Sequence, residues 1–277
     1  MPDARTLGIT TGDDVTLSGE QTGEGPPVVL LHGLTATRRY VVMGSGALAR
    51  TGHRVIAYDA RGHGRSSPAG DPCAYGYERL AADLGELLDA AEAPRAVLVG
   101  ASMGAHTIAR FALDHPERVM ALALITPAFD PGVTESLDRL AHWDALARGL
   151  RERGVEGFLA AYDLDAVPAR WRGMVALVIR QRLSAHEHPE AVADALQAVP
   201  RSRPFEDLAQ LAAIRAQAVV IASRDEADPE HPLAVGECWA RAIPGARLLV
   251  ERPGEAPLAW QGAQLSRVIA ELAKAAA

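Results

Sequence analysis

Ala96-Val-Leu-Val-Gly100-Ala-Ser102-Met-Gly104 is the stretch whose reading decides the fold. A short apolar run reads as a strand, Gly-x-Ser-x-Gly follows without a spacer, and a helical segment begins directly after it. A serine at the apex of such a strand-to-helix turn has its hydroxyl exposed on a strained backbone, and the two glycines leave room for the turn. The bland alternative is a glycine-rich turn with an inert serine, and the surrounding rhythm decides against it. Upstream lie Val28-Val-Leu-Leu and Val55-Ile-Ala-Tyr; downstream lie Val119-Met-Ala-Leu-Ala-Leu-Ile, Ala218-Val-Val-Ile-Ala and Ala246-Arg-Leu-Leu-Val. The runs at Val28, Val55, Ala96 and Val119 are continuously apolar and bounded by Gly, Pro or charge, as strands buried on both faces are, and the pattern resumes at Ala218 and Ala246. Helical spacing separates them: Leu80, Leu84, Leu87, Leu88 and Ala91 share one face, and Pro94 ends that helix. Alternation of this kind predicts an α/β fold with a mainly parallel sheet. Arg5 to Thr22 reads as an antiparallel edge hairpin, and a terminal helix is expected from about Leu265 to Ala275.

The strand rhythm stops at residues 127–213, where amphipathic helices carry Trp143, Leu146 and Leu150, then Met174, Leu177, Val178 and Leu183. This segment is expected to be a helical cap over the strand ends, with residues 1–126 and 214–277 forming the core. Trp143, Leu146, Phe158, Trp171 and Met174 are the side chains expected to line a mostly apolar substrate pocket beneath it.

Composition narrows the classes. The chain has 277 residues and 28 basic against 35 acidic side chains, a net charge of −7 that gives no basic surface for nucleic acid. Met1-Pro-Asp-Ala-Arg-Thr shows no basic-then-apolar leader, and no apolar run approaches the ~18 residues of a membrane span. A cytoplasmic protein acting on a small molecule is expected, with no cofactor, metal, nucleic-acid or membrane partner. Cys73 and Cys238 have no Cys or His at ligand spacing and are expected to be free thiols.

Two further stretches follow strands. In His32-Gly-Leu34, a backbone N–H together with that of Met103 is positioned to face a developing oxyanion, with the His32 ring bonding the loop. Asp59-Ala-Arg-Gly-His-Gly-Arg-Ser66 reads as loop architecture. With Gly100-Ala-Ser-Met-Gly104, in this order and spacing, these motifs resemble the α/β-hydrolase family, in its serine-nucleophile branch. The resemblance runs from about Pro27 to the C-terminus. It implies an eight-stranded, mostly parallel sheet with a cap, and a nucleophile, acid, histidine order along the chain. Ser102 is then the nucleophile, the amides of Leu34 and Met103 the oxyanion donors, and Asp228 the acid, with Asp225 the alternative.

The histidine departs from the pattern. Relatives carry it after the last strand in Gly-His-x-Pro; here that stretch is Gly254-Glu255-Ala-Pro257, and no histidine follows His231. Glu255 is therefore expected to stand in for the base, although a carboxylate titrating near ~4.3 accepts a serine proton poorly at neutral pH. His231 is expected to face solvent, His106 to line the pocket floor, and His142, His186 and His188 to be exposed cap residues. The expected activity is hydrolysis of a small, largely apolar ester, thioester, lactone or diketone. The alternatives are a degenerate binding protein that kept the pocket, and a lyase or cyclase with a carboxylate base.

Overall fold

In the computed structural model, which describes residues 4–133 and 136–276, eight strands form one sheet. They are β1 (Arg5–Thr10), β2 (Thr16–Thr22), β3 (Pro27–Leu31), β4 (Arg54–Tyr58), β5 (Ala96–Ala101), β6 (Val119–Ile125), β7 (Gln217–Ile221) and β8 (Arg247–Leu249). The spatial order is β1-β2-β4-β3-β5-β6-β7-β8. β2 runs antiparallel to β1 and β4, and every other pairing is parallel. The eight helices are α1 (Ala47–Arg50), α2 (Tyr77–Ala90), α3 (Met103–Asp114), α4 (Leu137–Ala161), α5 (Ala169–Leu183), α6 (Pro189–Ala198), α7 (Leu233–Ala242) and α8 (Gly262–Ala275).

Parallel strands need crossover helices on both faces, so the inner ones, β3 to β7, are apolar in both directions, while the edge strand β8 is largely exposed. On one face Val29, Leu98, Leu122 and Val220 pack with Leu84 and Leu88 of α2, Ile108 and Phe111 of α3, and Trp239 of α7. On the other, Val28, Val97, Ala123 and Val219 meet Leu48 of α1 and Leu265, Ile269 and Leu272 of α8. Side chains on both layers are buried, which fixes the strand ends and whatever they carry.

Between β6 and β7 the chain leaves the sheet and forms α4, α5 and α6. At Gly154, with φ 61°, α4 doubles back on itself. Leu146, Leu150, Phe158 and Leu196 of this excursion pack on Leu34, Tyr77 and Met103. α5 buries little of itself: only Leu183 is buried, and Trp171, Met174 and Leu177 are exposed. Phe205 and Leu211 already belong to the core layer around Trp239, ahead of residue 214.

The Asp59–Ser66 loop is architecture, as its sequence suggests. All five N–H groups of the fully buried Arg61 are used. Nε and Nη2 donate to Asp83 at 2.7 Å each, the two Nη atoms donate to Asp13 at 2.9 and 3.0 Å, and Nη1 also donates to the Ala74 carbonyl at 3.1 Å. Such a charge is tolerable in a core because every donor is matched. Asp59 likewise accepts from the Arg38 amide and guanidinium. Cys73 and Cys238 are free.

Candidate active site

β5 ends at Ala101 and α3 begins at Met103, so Ser102 alone makes the turn, with φ 51° and ψ −114°. A non-glycine residue with positive φ is strained unless its surroundings hold it. They do: Ser102 N–H donates to the Ile125 carbonyl at 2.9 Å, and the Ser102 carbonyl accepts from His106 N–H at 3.1 Å. The flanking glycines are required by contact, since a Cβ on Gly100 would run into the Gly104 carbonyl and one on Gly104 into that of Leu31.

Ser102 Oγ lies 2.8 Å from Nε2 of His231, whose Nδ1 lies 2.7 Å from Oδ1 of Asp228. A carboxylate only accepts, so the ring proton sits on Nδ1 and the Nε2 lone pair receives the serine O–H. Burial pushes the His231 pKa down, but the charge and hydrogen bond of Asp228 outweigh it and the net shift is upward from 6.5. Asp228 is itself penalised by burial, yet the His231 contact and the nearby Arg182 hold its carboxyl below the usual range.

Glu255 is not brought to the serine, and the expectation that it replaces the imidazole is corrected here. Its side chain is exposed at the rim of the cavity, turned back to accept the Arg252 amide at 3.2 Å. His231 fills the place instead, reached from the acid's own loop rather than from the strand beyond it. That loop is a run of turns: Asp228 N–H donates to the Asp225 carbonyl at 3.2 Å and His231 N–H to that of Asp228 at 3.4 Å. Asp225 accepts from the Ala227 amide at 3.0 Å and from Trp260 Nε1 at 2.9 Å, so it organises the loop and stays clear of the serine. The signal available in the sequence was Asp228-Pro-Glu-His231-Pro232, an Asp-x-x-His spacing inside a proline-bounded loop.

Leu34 and Met103 flank Ser102, and neither backbone N–H donates to another of the described residues. Gly33 lets the loop approach: a Cβ there would sit 3.3 Å from that of Ser102. Three imidazoles brace this loop on successive carbonyls. His32 accepts the Ala60 amide at Nε2, so its Nδ1 proton meets the Gly33 carbonyl at 2.8 Å. His63 Nε2 faces the Leu34 carbonyl at 2.8 Å. His186 accepts the Gly64 amide at Nδ1 and presents Nε2–H to the Thr35 carbonyl at 3.3 Å. His186 is thus a tie between the helical excursion and the loop of residues 32–35, not an exposed residue, and burial pushes its pKa down to about 3.

His106 lines the cavity floor, as expected, but takes no part with the serine. Its Nε2 accepts from the amides of Ala128 and Phe129 at 2.9 and 3.1 Å. The ring proton is therefore on Nδ1, donated to Tyr77 Oη at 2.7 Å, and the Tyr77 hydroxyl proton is left for the cavity.

The cavity holds about 840 Å³, within the range for small-molecule sites. Trp143, Leu146, Phe158, Trp171 and Met174 all line it. Leu146 and Phe158 are buried, and Met174 and Trp171 stand exposed at the mouth. Among the described residues no cluster of His, Cys, Asp or Glu could hold a metal ion, and no helix is long and apolar enough to cross a membrane.

An open α/β sheet with a serine at a strained strand-to-helix turn, met by an imidazole and a carboxylate from a later strand-end loop, defines a class, and the chain belongs to it: the model of the α/β hydrolase fold family matches residues 26–263. Among individual relatives, the RutD protein of Variovorax paradoxus (strain S110), provisionally named a carbamate hydrolase, is 33% identical over 205 residues, which are 74% of this chain and 75% of that one. An esterase from Thermogutta terrifontis, solved with malate bound, superposes with a TM-score of 0.79 at 27% identity, covering 98% of this chain and 99% of the other. Est816, described as an enzyme degrading N-acyl homoserine lactones, gives a TM-score of 0.74 at 27% identity over 97% and 99%.

Proposed function

We propose that this α/β hydrolase is a serine hydrolase of small carboxylic esters or lactones, with Ser102 as nucleophile, His231 as general base and acid, and Asp228 as its orienting carboxylate. The carrying observation is the hydrogen-bonded chain Ser102 Oγ to His231 Nε2 and His231 Nδ1 to Asp228 Oδ1, at 2.8 and 2.7 Å. His231 takes the Ser102 proton as Oγ attacks the carbonyl, and the resulting imidazolium is stabilised by Asp228. The tetrahedral oxyanion is received by the N–H groups of Leu34 and Met103, the latter at the positive end of α3. His231 then returns the proton to the leaving alkoxide, and water repeats the sequence on the acyl-enzyme.

The helices of residues 127–213 act as a cap in this reading. Apolar side chains from α4 and α5 enclose the acyl or alcohol portion and exclude water. The esterase and lactonase described among the structural relatives support the substrate class. An imidazole in hydrogen-bond reach of the serine supports this reading over a degenerate binding protein or a carboxylate-based lyase or cyclase. The test is covalent: a fluorophosphonate should add one phosphonyl group to the intact protein and stop hydrolysis of 4-nitrophenyl butyrate, and Ser102→Ala should lack both adduct and turnover. Turnover that survives Ser102→Ala, or an unlabelled protein, would overturn the proposal.

A further inference from the structure

We infer that Arg182 is the anchor for a carboxylate on the substrate, so that the preferred esters or lactones carry a free acid group besides the scissile carbonyl. The inference rests on Ser102 being the nucleophile for turnover, but not for binding. α5 turns one stripe to the cavity: Trp171, Met174, Val175, Val178, Ile179 and Arg182. Their helical spacing makes it a single face, apolar until its last member.

The guanidinium of Arg182 sits between two aromatic rings contributed by the core, with Cζ 5.4 Å from the Tyr40 centroid and 4.9 Å from that of Trp260. The rings shield the cation and stabilise it through their faces, yet offer no acceptor in its plane. Among the described residues the Arg182 side chain has no ion pair, and its Nε is buried without any hydrogen-bond partner. The neighbouring arginines differ: Arg170 at the mouth pairs with Glu226, and Arg139 donates to the Pro200 carbonyl at 3.2 Å. Asp228 is close enough to feel Arg182 but its Oδ1 is committed to His231.

A half-buried guanidinium whose Nε is fully buried, and whose N–H groups lack protein acceptors, carries a desolvation cost that is recovered only when something pairs with it. Its fork of N–H groups matches a carboxylate bidentately. Pinning the cap to the core would need only the ring contacts; on a side chain that lines a cavity of this size, two Nη groups without a partner among the described residues imply that the acceptor arrives with the ligand. Arg182 also opposes protonation of His231. A bound carboxylate would offset that opposition as Ser102 attacks, coupling recognition of the acid to the chemistry.

The experiment compares 4-nitrophenyl half-esters of succinic, glutaric and adipic acid with neutral 4-nitrophenyl esters of matching chain length. The native protein is expected to prefer one acid ester by about ten-fold or more in kcat/KM, the size of one charged hydrogen-bonded contact. Arg182→Met, similar in reach but neutral, should cut the acid-to-neutral ratio at least about ten-fold, mainly through KM, with Arg182→Lys intermediate because it keeps charge without the fork. A native protein indifferent to the acid, or a ratio unchanged in Arg182→Met, would overturn the inference. Should Arg182→Met fail to fold, Arg182→Gln and Arg182→Lys give the same ratio test. Calorimetric titration of glutarate onto Ser102→Ala needs no turnover. Arg182-dependent binding there without ester hydrolysis by the native protein would sink the nucleophile reading alone. Hydrolysis without acid preference or glutarate binding would sink the anchor alone.

Discussion

Replacing Ser102 by glycine should make the protein more stable than replacing it by alanine, although both changes abolish a serine nucleophile. Both remove the hydroxyl and its bond to His231, so the comparison isolates one Cβ on a backbone at φ 51° and ψ −114°. A non-glycine residue held in such a region stores about 1–3 kcal/mol. Glycine returns part of this, because its greater freedom in the unfolded chain costs about 0.5–1 kcal/mol. The lost Cβ also gives up a little packing against Gly33, whose own Cβ position lies 3.3 Å away. The net advantage of glycine is about 1 kcal/mol. Thermal unfolding should then place Ser102→Gly about 2–4 °C above Ser102→Ala for a chain of this size. Urea titration should show a higher midpoint with an unchanged slope, since neither state changes its exposed surface. An alanine variant as stable as the glycine variant, or more so, would refute the claim that the turn is strained and held by its surroundings.

Three more outcomes follow from the same geometry. Asp228→Asn should lower kcat by about 10⁴, the cost of losing the carboxylate that orients a catalytic imidazole. Because Asp228 raises the His231 pKa and only neutral His231 can accept the serine proton, native activity should rise with pH through a value above 6.5, and that limb should move to lower pH in the residual activity of Asp228→Asn. Trp143→Ala and Trp171→Ala, which enlarge the cavity from the α4 and α5 sides, should shift the preferred acyl length upward in a series of nitrophenyl esters; unchanged preference would deny the helices a role in selectivity. Arg61→Met should cost about 3–5 kcal/mol in chemical unfolding by leaving Asp83 buried against Arg79 alone, and Asp83→Leu in that background should recover much of it.

The centre of the sheet was legible because β3 to β7 are bounded apolar runs, and the serine because its turn has a strand on one side and a helix on the other. The placement of Asp228, Leu34 and Met103 was legible for the same reason: they sit where the chain leaves β7, β3 and β5. His231 was not. Its position depends on how a run of turns between Asp225 and Pro232 folds back on Asp228, and hydrogen bonds to Trp260 and Glu251, far along the chain, fix that path. Searching for an imidazole only after the last strand led to Glu255, an exposed rim residue. His186 and Arg182 were hidden for a related reason. His186 reaches loops 122 and 151 residues away and Arg182 reaches Tyr40 and Trp260 on either side of the excursion in sequence, and nothing local in a helical pattern marks which polar residue turns inward.

The imidazole beside Ser102 comes from the same loop as Asp228. Its role is read from kcat for 4-nitrophenyl butyrate in His231→Ala and Glu255→Ala. His231→Ala is expected to lose about 10⁴-fold or more, as removal of a catalytic histidine does, and Glu255→Ala to stay within about ten-fold of the native rate. Activity retained in His231→Ala and lost in Glu255→Ala would contradict it.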